Sequence, residues 1–227
     1  MTFDRRSMLK GMALLGVASP FLGSALPALA AAGLPAPALP TSILLSAGAA
    51  DSAFVQGAHA SIGASAVSVF QASIELDFMQ DFEQQLHRGQ AQRVIGLLDD
   101  ALATPLLAVA RSAGASVPWL GQHTATAGLS RHRVLTADMA DGCVGQLHRQ
   151  LLACGAGFTL NDERHDNRVI ATELSGPSRS PGHLDQWAAA IGFLLASLVS
   201  GKPGTPPLFP AGRGSPIGSF VSFAIVA

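Results

Sequence analysis

Tyrosine is missing from this 227-residue chain, cysteine occurs twice, and only 13% of the residues carry charge. Beside a hydrophobic share of 48%, that scarcity of charge excludes a disordered chain. Two cysteines cannot hold an iron–sulfur cluster. Basic residues form no cluster, and Lys202 is the sole lysine after Lys10, so the composition excludes an electrostatic nucleic-acid binder. The G-x-G-x-x-G and Walker patterns are absent, as is the G-x-S-x-G elbow, so no motif assigns a nucleotide cofactor or a hydrolase nucleophile. The mature part has no unbroken apolar run of the roughly 20 residues that a stable membrane span needs.

What is present begins at the amino terminus. Residues 1–10 are basic, 11–26 form a short apolar run broken by glycine and proline, and "ALA" at 28–30 offers small residues for signal-peptidase cleavage after Ala30. "DRRSMLK" resembles the twin-arginine export signal through Arg5, Arg6, Leu9 and Lys10, with Asp4 and Met8 departing from its usual Ser/Thr and Phe. That resemblance implies a chain that meets the twin-arginine translocase already folded and is delivered to a bacterial periplasm. The formal net charge is −1; without Asp4, Arg5, Arg6 and Lys10, 11 basic and 14 acidic residues remain, or −3. Residues 31–41 are Ala/Pro-rich and read as a linker, leaving 42–227 as a single domain long enough to bury a core.

Along that domain apolar strands alternate with amphipathic helices. Strands are expected at "TSILLSAG", "AVSVFQ" (66–71), "RVIGLL" (93–98), "ASVPWLG" (115–121) and "RVLTA" (133–137). Pro118 makes the fourth an edge strand or an irregular one. Helices follow Asp51, Asp77, Thr104-Pro105 and Asp138, with Gly63, Gly89 and Gly114 as stops. Then come a hairpin around "NDERHDN" (161–167), an apolar helix over 183–200 and a final strand "SFVSFAIVA". The helix is apolar nearly all round, which implies burial, either in this domain or against a membrane-bound partner. The expected class is α/β: a mainly parallel, doubly wound sheet with a C-terminal hairpin, a buried helix and a closing strand.

In such a sheet, ligands meet the loops at the carboxyl ends of the strands. Those loops hold Ser52 after the first strand, Asp99 and Asp100 after the third, and Gln122, His123 and Thr124 after the fourth. The aspartates suit a cation, an amine or a hydroxyl; Ser52 near a helix start suits an anion. The same residues also serve ordinary turn and cap chemistry. Asp162, Glu163, His165 and Asp166 are consecutive enough to splay apart as a solvated hairpin tip. Arg131 and Arg133 share one face of an extended strand. Cys143 and Cys154 lie roughly 16 Å apart on one helix at 1.5 Å per residue, too far for a disulfide, and read as small buried apolar residues.

Residues 66–160 resemble the first lobe of type I periplasmic solute-binding proteins, chiefly through "RVIGLLDDALATP" and "ASVPWLGQ". The resemblance implies ligand-facing positions at Asp99, Asp100, Gln122, His123 and Thr124. That family has two lobes and this chain has room for one, so a closing clamshell is not expected. The reading is a non-enzymatic periplasmic protein that binds a small molecule or serves as an accessory subunit of a larger complex. The alternative is a small periplasmic hydrolase using Ser52 or an Asp–His pair among Asp99, Asp100 and His123.

Overall fold

The computed structural model describes residues 39–62, 67–137, 143–155, 157–163, 172–178, 186–198, 207–208 and 216–227. Its strands are β1 (Thr41–Leu45), β2 (Val67–Gln71), β3 (Arg93–Asp99), β4 (Ser116–Ala125), β5 (Ser130–Ala137), β6 (Phe158–Asp162), β7 (Thr172–Gly176) and β8 (Gly218–Val226). Its helices are α1 (Phe54–Ile62), α2 (Leu76–His87), α3 (Asp100–Ser112), α4 (Cys143–Cys154) and α5 (Gln186–Ser197). The leader and most of the linker lie outside the described residues. Thr41, taken as the last linker residue, already opens β1.

The eight strands form one sheet in the order β2-β1-β3-β8-β4-β5-β6-β7. Pairing is parallel at β2/β1, β1/β3 and β5/β6 and antiparallel at the other four junctions. The fold is therefore mixed α/β, and the expectation of a mainly parallel sheet is corrected. Two features make the difference. The closing strand β8 inserts antiparallel between β3 and β4, at the centre of the sheet. The segment "GQHTAT", expected as a loop, continues β4 to Ala125 and turns through a tight connection into β5.

Two cores follow. On one face α1, α4 and α5 bury Ile43, Ile95, Leu97, Trp119, Val134, Phe158 and Leu160. On the other, α2 and α3 bury Leu44, Val94, Leu98, Phe223 and Ile225. This second cover stops near β4. Beyond it, that side of the sheet presents the exposed Thr124, Arg131, Arg133, Glu173 and Ser175 and the half-buried Gln122, Thr159 and Asn161. One dry face and one wet face is the ordinary state of an antiparallel sheet and accounts for the polar alternation of this half.

Helix α5 is buried on every side within this domain, so its apolar surface is spent on its own core rather than on an outside partner. It crosses α1 at glycine against backbone. A Cβ on Gly57 would stand 2.0 Å from the Ala189 carbonyl oxygen, and one on Gly192 2.1 Å from that of Phe54. At its carboxyl end Arg93 Nη1 donates to the Ala196 carbonyl (3.0 Å), while Nη2 and Nε donate to Thr41 Oγ1 (2.9 and 3.2 Å). This buried guanidinium pins the helix to the start of β1 and complements the negative end of the helix dipole.

Helix entries depart from the expectation in detail. The α1 entry uses Ser52, whose Oγ accepts from the Phe54 N–H (3.4 Å), and not Asp51. α2 begins after Glu75, leaving Asp77 in its first turn. α3 begins at Asp100 and carries Pro105 inside, because Asp99 Oδ1 accepts from the Leu102 N–H (3.0 Å) and starts the helix earlier than proline would. β4 is interior, not an edge, and its register slips between Ser116 and Trp119, where Pro118 has no N–H to give. Asp138 and Asp141, expected at the start of α4, lie outside the described residues. No helix among the described residues is long and apolar enough to cross a membrane.

Candidate functional site

The expected ligand residues do not share one crevice. Ser52 is buried, and its hydroxyl donates to the Ala49 carbonyl (2.6 Å), tying a short 3-10 turn (Ala47–Ala49) to α1. Asp99 caps α3, and its N–H donates to Ser46 Oγ (3.1 Å). Asp100 is exposed at the start of α3, where its carbonyl accepts from Thr104 Oγ1 (3.0 Å). Gln122, His123 and Thr124 were grouped as a loop. As a strand they alternate, so His123 enters the α5 core while Gln122 and Thr124 stand on the wet face. There Arg133 donates from Nε and Nη2 to both Glu163 oxygens (3.0 and 2.6 Å) and from Nη1 to Gln122 Oε1 (3.1 Å). The hydrogen bonds to Glu163, and then its charge, raise the Arg133 pKa. Among the hairpin residues, His165 and Asp166 lie outside the described residues. Among the described residues no three His, Cys, Asp or Glu side chains gather as a metal site.

His123 instead belongs to a hydrogen-bonded chain beneath α5. Trp119 Nε1 donates to Ser222 Oγ (2.9 Å). Ser222 Oγ lies 2.7 Å from His123 Nε2, His123 Nδ1 2.9 Å from His132 Nδ1, and His132 Nε2 2.9 Å from Ser130 Oγ. Ser130 Oγ reaches the Gly157 carbonyl at 3.4 Å. Ser130 spends its one proton on the Gly157 carbonyl and so accepts from Nε2–H of His132; His132 Nδ1 then accepts from Nδ1–H of His123, and His123 Nε2 from the Ser222 hydroxyl, which accepts from the Trp119 indole. In that direction every group is satisfied and both imidazoles are neutral. Burial depresses both rings: His123 sits well below its usual pKa, with the neighbouring His132 adding to the effect, and His132 falls to about 3. Gly121 leaves the room, since a Cβ there would stand 3.0 Å from Ser222 Oγ and 3.1 Å from the His123 ring.

Ser222, His123 and His132 form a nucleophile–base–orienter arrangement, with His132 where a carboxylate commonly stands. Accessibility opposes that use. Ser222 is 0% exposed, both histidines are 1% exposed, and the Trp187 ring lies 5.5 Å from each imidazole. His123 stands out in the sequence; its partners do not. His132 and Ser222 carry no local signal, and only the pairing of β4 with β5 and β8 brings them within reach. Cys143 and Cys154 are buried and form no disulfide, as expected, and burial raises the Cys154 thiol to about 11, which disfavours the reactive thiolate.

A cleft of about 200 Å³ opens elsewhere, between α2 and the sheet. Its walls are Leu44, Phe70, Phe78, Phe82 and Val94; its polar groups are Ser42, Asp81 and Gln85. Phe82 belongs to the buried core of this face and Phe78 packs against it. Both also border the cleft, where β2, at the sheet margin, brings Phe70 as its apolar wall. No protein-family model, curated protein or solved structure matches this chain.

Proposed function

We propose that this chain is an exported, non-enzymatic periplasmic protein that binds a small molecule in the cleft beneath α2. The cleft carries the reading. A dry cavity of about 150 Å³ holds benzene, so one of about 200 Å³ has room for a single ring with a short substituent. Three phenylalanine rings offer apolar and edge-to-face contact, while Ser42, Asp81 and Gln85 supply the few polar groups that orient a ligand. The leader supports export, and the acidic balance of the mature chain supports no anionic polymer as partner. Ser52 and Asp99 are held in cap bonds, Gln122 in the wet-face network and His123 in the interior chain, which favours a site at α2.

The test is a titration of the mature protein with single-ring amines, alcohols and acids, followed by amide chemical shifts. Saturable shifts centred on Phe78, Asp81 and Gln85 are expected, and their loss in Phe78→Ala. No saturable shift from any of the three classes would remove the proposal. A second reading, a small hydrolase, draws on the 2.7 Å contact between Ser222 and His123. Treating the same sample with a fluorophosphonate separates the two: covalent labelling of Ser222 favours the hydrolase, and an unlabelled serine favours binding.

A further inference from the structure

The margins of the sheet are unlike one another. β7 carries Glu173 and is followed by Pro177, both of which discourage pairing with another strand. β2, "VSVFQ", has no charge and no proline, and among the described residues no strand pairs with its outer edge. From Ser68 to Gln71 its residues are exposed, with Val69 and Phe70 at 46% and 47%, and beyond them Ile74 and Leu76 stand at 69%. The Ala72 N–H donates to the Leu45 carbonyl (2.9 Å). By the alternation of a parallel pair, Val67, Val69 and Gln71 then turn their N–H and C=O groups away from β1. A row of open backbone groups thus lies beside a cluster of exposed apolar side chains.

We infer that β2 pairs antiparallel with β2 of a second copy, joining two sheets edge to edge about a twofold axis through Val69. The strand is complementary to itself in this register. Val69 exchanges both hydrogen bonds with its counterpart, and Val67 of each copy does so with Gln71 of the other. On the α2 side, the small Ser68 of each copy lies opposite the large Phe70 of the other. The twofold also sets the α2 helices antiparallel. Glu75 and Asp77 at the amino end of each then lie toward the end bearing Arg88 in the other, with Asp81 and Glu83 near the middle of both helices. A foreign strand would satisfy the backbone without this self-matched pairing of Ser68 with Phe70.

Sedimentation of the mature chain over a dilution series tests the inference. The wild type is expected to be dimeric. Val69→Lys and Val69→Glu each place like charges directly opposite and are expected to be monomers, with unchanged circular dichroism because the side chain stands at the surface. An equimolar mixture of the two variants is expected to dimerise again, since Val69 faces only its own counterpart. A monomeric wild type, dimers in both single variants, or a mixture that stays monomeric would each overturn the inference. So would a monomeric wild type whose β2 amides become protected only when an extended peptide from another protein is added.

Discussion

His123 shows how a residue's meaning depends on its neighbours in space. Read alone in "GQHTAT" it is a polar side chain in a loop; in the fold it is one link of a neutral chain between Trp119 and Ser130. The pair has a consequence for pH. Both rings stay neutral in the folded state, while the unfolded imidazoles take protons near pH 6.5, so the unfolded state gains protons first as acid is added. Stability is therefore expected to be flat above that pH and to fall below it, by up to about 2.7 kcal/mol per pH unit for two imidazoles, with His132 contributing down to about pH 3. Urea midpoints at neutral and mildly acidic pH check this; midpoints that do not move would show that the rings are charged in the fold. Of the six expected ligand residues, Ser52 and Asp99 cap helices whose starts the sequence marks instead at Asp51 and Thr104-Pro105. Gln122 and Thr124 were misread with His123, because a strand taken for a loop loses its two-residue period.

Among the elements, the α1–α5 crossing tolerates the least change. Gly57 and Gly192 let backbone meet backbone, and no rotamer relieves a Cβ placed 2.1 Å from a carbonyl oxygen. Gly192→Val is expected to force the helices apart and cost about 3 kcal/mol or more. Gly145→Ala in α4, where a Cβ meets only Arg149 Nη1 at 3.6 Å, is expected to be neutral or to stabilise by up to about 1 kcal/mol. Melting temperatures of the two variants separate packing from helix propensity; equal shifts would mean that the crossing is loose. The helices themselves were well marked, since Gly89 (φ 67°) and Gly114 (φ 80°) end α2 and α3 where the sequence placed their stops. The start of α3 was not, because Thr104-Pro105 gives a strong signal, whereas Asp99 begins the helix earlier by a side-chain bond that composition does not reveal.

For the whole molecule, the position of β8 sets the order of events. The sheet has no continuous centre until Gly218–Val226 lies between β3 and β4, so the fold closes only when the end of the chain is available. Deleting 218–227 is expected to leave β2-β1-β3 and β4–β7 as separate fragments without cooperative unfolding. A translocase that accepts only folded chains should retain that truncated product inside the cell, as it should the Arg5→Lys/Arg6→Lys variant, while the full-length chain reaches the periplasm. Fractionation of the three checks this, and delivery of both altered chains would remove the link between folding and export. Most elements, the apolar character of α5 and the lack of a Cys143–Cys154 disulfide were legible locally, because apolar period and helix stops are properties of neighbouring residues. Long-range pairing put β8 at the centre, mixed the strand directions, brought His123 to His132 and Ser222, and left β2 at the margin. Each of these depends on pairing between residues distant in the chain, and an isolated strand carries the same alternation whichever neighbour it joins.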